Sequence, residues 1–205
     1  MKNNKTSPWL TTHQMAIVAI FSALWATVEI TIGTVLVMTK LPFRGAILTA
    51  IALGIIIIVR RMVPKRGTAV VMGIIVATLR LMMGGPKVLT IVPALVIEGA
   101  LVEVAFLLTS GGIYVTQFSC SLAGLLSVTY SFLHTILMVG LISGIRKQHF
   151  STIVDYLEGM RFGLYSLWVA ALVLIIAHAL WGIAIGLLFW RLTRKVGASG
   201  IKIKL

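Results

Sequence analysis

The sequence predicts an all-α integral membrane protein, a compact bundle of six transmembrane helices, and three observations support this prediction. Of the 205 residues, 59% are hydrophobic and only 11% are charged, whereas soluble domains carry roughly 25% charged residues. The mean hydropathy is +1.06. The 18 Lys and Arg residues far outnumber the 5 Asp and Glu residues, and most lie between apolar stretches, as in membrane-protein loops. A single membrane domain accounts for residues 1–205.

Six apolar stretches reach or approach the roughly 20 residues that a spanning helix needs. They are residues 14–38, 46–59, 68–83, 88–108, 118–142 and 165–190. The second and third stretches are short, but the loop between them, residues 60–67, holds four charges, a proline and a glycine. Such a loop is not compatible with hydrocarbon, so it separates two helices.

The distribution of basic residues predicts the orientation of the bundle. With both termini in the cytoplasm, the inner segments contain eleven Lys and Arg residues and the outer segments six. The positive-inside rule therefore predicts cytoplasmic termini in a prokaryotic cell membrane. The first apolar stretch lacks a signal-peptide cleavage site and is expected to remain as the first helix. The longest outer loop, residues 146–163, has the apolar spacing of an amphipathic helix, which either lies on the membrane surface or caps a pocket.

Ionisable residues inside predicted spans are the best indicators of a functional site, because they are costly in lipid and usually face the bundle interior. Glu29, Arg80, Glu98 and Glu103 are such residues. Most of the polar groups fall in the middle or outer half of the bilayer, which predicts a pocket open to the outside. The candidate substrate-binding residues are Glu98, Glu103, Arg80, Lys87, Tyr130, His134, Trp168, His178 and Trp181.

Several of these residues have a structural interpretation as well. Glu98 and Glu103 lie about 140° apart on a helix, so one is expected to bind ligand and the other to form an ion pair with Arg80 or a histidine. The polar face that contains Tyr130 and His134 either lines the pocket or forms hydrogen bonds between helices. Trp168 lies near a helix end, where tryptophan commonly anchors a protein at the membrane interface.

The first helix carries small residues at spacings of three and four, at Ala16, Ala19, Ala23 and Ala26. A stripe of this kind allows close helix contact, either within the bundle or with a partner subunit.

Other classes of function lack the residues that they require. The chain has no Walker phosphate loop, no zinc-protease motif and no nucleophile elbow. Its one cysteine, Cys120, permits no internal disulfide and no cysteine metal site. The sequence therefore predicts no metal or cofactor, no nucleic-acid partner and no enzymatic activity of its own. The alternative is a membrane-embedded enzyme or assembly factor that uses Glu98, Glu103, His134 and His178 as an acid–base cluster.

Together, these features resemble the substrate-binding S components of energy-coupling factor (ECF) transporters. The family's first helix carries an Ala-x-x-x-Ala pattern, which Ala19 and Ala23 match. Residues 43–108, roughly a third of the chain, look most like the YkoE type. The similar segments include Arg60-Arg61 with Pro64 to Gly67, then Gly84-Gly85-Pro86, then the run from Ile97 to Phe106. Glu103 matches the family's glutamate, whereas Glu98 stands where that type has glutamine.

The resemblance implies a subunit of an ABC-type vitamin uptake complex. It would bind thiamine or its hydroxymethylpyrimidine precursor from outside and dock through the alanine stripe on a transmembrane T component. Partner ATPases would supply the energy. A cationic, aromatic ligand suits carboxylates with Trp and Tyr, whereas Arg80 and Lys87 suit a phosphate or carboxylate, so the sequence leaves the substrate open.

Overall fold

The computed structural model describes residues 10–39, 44–84, 88–112, 114–143 and 164–198. All regular secondary structure in these residues is α-helical, which confirms the predicted fold class for this part of the chain. The six helices are α1 Thr12–Met38, α2 Arg44–Met62, α3 Thr68–Met83, α4 Val88–Ser110, α5 Gln117–Ser143 and α6 Leu164–Ala198. The amphipathic helix predicted for the loop 146–163 lies outside the described residues.

The helices begin and end within three residues of the predicted bounds, with the exception of the end of α6. That helix continues to Ala198, eight residues past the predicted end at residue 190. The apolar character stops near Trp190, but Arg191, Leu192 and Arg194 are good helix formers and keep the backbone helical. Hydropathy locates the end of the membrane span, not the end of the helix.

Four helical segments in the described part of the chain are long enough and apolar enough to cross a bilayer. They are Thr12–Leu36, Arg44–Met62, Val88–Ser110 and Leu172–Arg194. The segment Thr68–Met83 is a shorter apolar helix. Large apolar side chains are exposed on all six helices, as lipid contact requires, for example at Ile20, Ile47, Ile74, Leu89, Phe118 and Leu180.

Glycines set the closest helix contacts and show that the neighbouring helices run antiparallel. A Cβ atom on Gly99 of α4 would lie 2.6 Å from the Ala69 carbonyl oxygen of α3, and one on Gly73 would lie 2.8 Å from that of Leu95. On α5 and α6, Gly124 meets the backbone of Gly182, and Gly186 meets that of Cys120. The small residues allow the backbones to touch.

Helix α2 lies at the centre of the bundle. It contacts α1, α3, α5 and α6, and most of its residues are buried. Ile56, Ile57 and Val59 have no exposed surface. Thr49 and Arg60 are buried on α2, so these two polar side chains face other parts of the protein and not the surface of the bundle.

Candidate functional site

Five helices each contribute one polar side chain to a common region, which we call the central polar cluster. Its members are Glu29 of α1, Thr49 of α2, Arg80 of α3, Glu98 of α4 and Tyr130 of α5. The side chains of Glu29 and Tyr130 interact electrostatically with that of Glu98, and Arg80 does so with Glu29. The Thr49 side chain hydrogen-bonds the Glu98 carboxyl group.

Glu98 is the most deeply buried carboxyl group of this cluster. The residue is only 8% exposed, and its Oε1 atom has no hydrogen-bond partner among the described residues. The contact between Gly99 and α3 fixes the backbone at the adjacent position. A buried polar atom without a partner costs about 1–3 kcal/mol, so Oε1 can hydrogen-bond a molecule that enters the cluster.

The cluster contains two carboxyl groups, those of Glu29 and Glu98, and one guanidinium group, that of Arg80. Arg80 and Glu29 carry opposite charges and act on each other, whereas Glu98 interacts with the Thr49 hydroxyl. With both carboxyl groups ionised, the cluster has two negative charges and one positive charge. In that ionisation state, a ligand with a positive charge would compensate for the excess.

Further buried polar atoms lie on the helices that carry the cluster. Trp25 is fully buried, and its indole Nε1 has no partner among the described residues. It precedes Glu29 by four residues, so the two side chains share a face of α1. His134 lies one turn beyond Tyr130, with ring centroids 5.7 Å apart, and its Nε2 atom is also buried without a partner in the described part. These groups can hydrogen-bond a small polar molecule.

Glu103 lies in a different environment, at the loop between α2 and α3. Its Oε1 accepts a hydrogen bond of 2.8 Å from the Gly67 N–H, and its Oε2 accepts one of 3.1 Å from the Ala69 N–H. The carboxylate therefore caps the N-terminus of α3, where the helix dipole favours a negative charge. Arg60 Nη1 lies 3.6 Å from Oε1, so the ion-pair partner is Arg60, not Arg80 or a histidine.

Arg60 joins this loop to the turn between α4 and α5. It is fully buried, and it donates hydrogen bonds to the Gly112 carbonyl oxygen at 2.6 Å and to the Lys65 carbonyl oxygen. Its guanidinium carbon lies 4.9 Å from the centroid of the Phe106 ring. Arg60 and Glu103 thus hold three segments together, and both oxygens of Glu103 are engaged by the protein.

Of the predicted residues of α6, neither His178 nor Trp181 is a member of the central polar cluster. His178 stacks on Phe132 at a centroid distance of 4.2 Å. Phe132 is two residues from Tyr130 and therefore about 200° around α5 from it. Trp181 is 52% exposed on the outer surface of the bundle. Lys87 lies outside the described residues, and Trp168 is described only by its place on α6.

The alanine stripe of α1 is divided between two environments. Ala16, Ala19 and Ala23 are exposed, next to exposed apolar side chains such as that of Ile20. Ala26 is buried in the core with 4% of its surface exposed, so the exposed part of the stripe ends at Ala23.

Comparisons with known proteins do not assign the chain to a family. No protein-family model matches it, and neither a curated protein nor a solved structure does so. The resemblance to S components consequently rests on the residues described above.

Sequence reasoning did not identify two sets of residues that the structure places at important positions. Glu29 stood out as ionisable, but it was not assigned to the site, and Thr49 looks like any threonine in an apolar stretch. Gly182 and Gly186 have the spacing of the small-residue motif that allows close helix packing, and this spacing was a usable indication of the α5–α6 contact.

Proposed function

We propose that this chain is the substrate-binding S component of an ECF-type transporter and that it captures thiamine or hydroxymethylpyrimidine in the central polar cluster. The observation that carries the proposal is the buried, unpartnered Oε1 of Glu98 within a cluster to which five helices contribute. In membrane proteins, buried ionisable groups of this kind mark substrate and ion pathways.

The proposed topology has six spans with both termini in the cytoplasm. Arg60, in the last turn of α2, and Lys65 and Arg66, in the loop that follows, then lie inside, as the positive-inside rule favours. Glu98 lies ten residues from the proposed outer end of α4, at a depth of about 15 Å. Arg80 lies within a turn of the outer end of α3. The cluster therefore occupies the middle and outer half of the bilayer, and a ligand would enter it from outside.

The chemistry of the cluster suits a cationic or aminopyrimidine ligand. Glu98 offers a carboxyl oxygen to an amino group or a cationic ring, and the partly exposed ring of Tyr130 offers aromatic surface for stacking or cation–π contact. Arg80 acts electrostatically on Glu29, and its buried Nε atom has no hydrogen-bond partner among the described residues, so it could still bind an anionic group of the ligand.

The proposed partners are a T component, inferred from the exposed alanine stripe of α1, and ATPase subunits, inferred from the lack of a phosphate-binding loop. Ala16, Ala19 and Ala23 present a flat, exposed surface on α1, which permits close approach of a helix of the T component. The chain carries no phosphate-binding loop, so two ATPase subunits would drive the uptake.

A tryptophan-fluorescence titration of the purified protein with thiamine, hydroxymethylpyrimidine and a panel of other vitamins tests the proposal. We expect saturable quenching by one of the first two compounds. Trp25→Phe should remove most of the response because Trp25 is buried on the face of Glu29, whereas the matched control Trp181→Phe should retain it because Trp181 is exposed. Absence of a saturable response in the folded wild type would contradict the assignment.

A membrane-embedded enzyme or assembly factor would require Glu98, Glu103, His134 and His178 to act together. Glu103 is bound to the α3 N-terminus, and His178 is stacked on Phe132, so these four groups do not share one site. We therefore do not propose this second function.

A further inference from the structure

A row of three hydroxyl groups runs along the face of α5 that packs against α2. Ser127, Ser131 and Thr135 follow one another at intervals of four residues and therefore share a face of the helix. Their exposure falls along the row, because Thr135 is exposed, Ser131 is half-buried and Ser127 is fully buried. A Cβ atom on Gly45 would lie 2.6 Å from the Ser131 Oγ and 3.5 Å from the Thr135 Oγ1. The exposed end of the row thus lies against the first turn of α2.

Helix α2 runs antiparallel to α5. Gly45, at the start of α2, contacts the second half of α5, whereas Gly54 contacts α6 in the region that packs on Cys120, near the start of α5. Residues further along α2 therefore face earlier residues of α5. This register places Thr49, one turn after Gly45, at the level of Ser127.

The buried end of the row consequently lies beside the central polar cluster. Thr49 hydrogen-bonds the Glu98 carboxyl group, and Tyr130, three residues after Ser127, belongs to the same cluster. Thr49 follows Arg44, the first residue of α2, by five residues, or about 7.5 Å along the helix axis. The row is therefore a short polar connection between the proposed outer end of α2 and Glu98.

Two of the three hydroxyl groups, those of Ser127 and Thr135, do not fasten α5 to α2. The Thr135 Oγ1 donates a hydrogen bond of 2.8 Å to the Ser131 carbonyl oxygen of its own helix, and the Ser127 Oγ has no hydrogen-bond partner among the described residues. The contacts of α3 with α4 and of α5 with α6 differ, because there the backbones themselves meet at glycines. Separation of α2 from α5 at the outer end would expose hydroxyl groups that water can hydrogen-bond, so it carries a small penalty.

We propose that the outer ends of α2 and α5 separate to admit the ligand, which reaches Glu98 along the row of Thr135, Ser131 and Ser127. This inference rests on the proposed function, because it takes Glu98 as the binding residue. Polar residues inside a membrane bundle commonly line a substrate path, and closure behind a bound ligand is a common step in its capture. Gly45 allows the two helices to close, since a larger side chain there would meet the Ser131 hydroxyl.

A reversible cross-link between the two helices tests the proposal. Gly45→Cys with Ser131→Cys, in a Cys120→Ser background, suits a disulfide, because an S–S bond of about 2.05 Å brings each sulfur to about 3 Å from the partner Cβ. The purified full-length protein is oxidised either before or after addition of radiolabelled thiamine or hydroxymethylpyrimidine. We expect oxidation before addition to prevent binding and oxidation after addition to retain the bound ligand through dilution. Reduction should reverse both effects.

The single cysteine variants, treated with the same oxidant, are the matched controls and should bind and release the ligand as the wild type does. Gly45→Cys with Thr135→Cys, at the 3.5 Å contact, repeats the test if the first pair does not fold or cross-link. Equal uptake and release by the oxidised and reduced protein would overturn the proposal, as would loss of the ligand when the complex is cross-linked, or failure of both pairs to cross-link. Absence of binding by the wild type and by the reduced variants would instead overturn the proposed function, and this inference with it.

Discussion

The ion pair between Arg60 and Glu103 yields the most quantitative prediction. The change is Glu103→Gln, which preserves the size of the side chain and removes its charge. Arg60 is fully buried and would lose the only carboxylate within 4 Å among the described residues. The NH₂ group of glutamine would take the place of one carboxylate oxygen, so a hydrogen-bond donor would face the backbone N–H donor of Gly67 or Ala69.

The magnitude follows from the burial and from the distances. Removal of one partner of a buried ion pair costs about 3–5 kcal/mol. We expect about 3 kcal/mol, at the low end, because Nη1 and Oε1 are 3.6 Å apart and Arg60 retains its hydrogen bond to Gly112. For a chain of this size, a loss of this amount lowers the melting temperature by roughly 6–12 °C.

The assay is thermal unfolding of the detergent-purified protein, combined with a double-mutant cycle. Glu103→Gln, Arg60→Met and the double variant are compared with the wild type. The double variant should be less destabilised than the sum of the single variants, because it leaves no uncompensated buried charge. A change below about 0.5 kcal/mol in Glu103→Gln, the size typical of a surface substitution, would refute the argument that this carboxylate holds the loop, α3 and α4 together.

Two further predictions concern helix contacts. Gly182→Leu should destabilise the protein by about 1–3 kcal/mol in the same unfolding assay, because the leucine side chain would meet the Gly124 backbone. The control Ala184→Leu, at an exposed position two residues away, should have little effect. Equal destabilisation by the two variants would contradict the proposed contact. Ala19→Trp should abolish co-purification of a co-expressed T component and leave ligand binding unchanged, whereas Ala177→Trp, at an exposed position on α6, should assemble normally. If both tryptophan variants assemble, the alanine stripe is not the docking surface.

The positions of the helices could be predicted because lipid imposes one strong rule. A spanning helix needs a long apolar stretch, and its ends are marked by charges, proline or glycine. The loop with Arg60 and Arg66 met this rule, and the helices on both sides of it lie as predicted. The same rule could not anticipate that Arg60 is fully buried, because a basic residue in such a loop has the same appearance whether it is solvated or paired.

The candidate site was predictable in part. Arg80, Glu98 and Tyr130 stood out because polar residues in apolar stretches are expensive, and the structure brings these three together with Glu29 and Thr49. Hydropathy treats Glu98 and Glu103 alike. The two glutamates differ in their surroundings, because α4 packs against α3 in one particular register. The contact of Gly73 with Gly99 sets this register and places Glu103 at the N-terminus of α3. Such a register depends on the packing of two helices and is not visible in the sequence of either one.

The central claim is that Glu98 binds the substrate. The most direct test measures the dissociation constant of the Glu98→Gln variant for radiolabelled thiamine or hydroxymethylpyrimidine by equilibrium dialysis. The wild type and Trp181→Phe are measured in parallel. A hydrogen bond to a charged group contributes about 1.5–3 kcal/mol. We therefore predict that Glu98→Gln binds about 10- to 100-fold more weakly, while Trp181→Phe binds as the wild type does. Unchanged binding by a folded Glu98→Gln protein would contradict the claim.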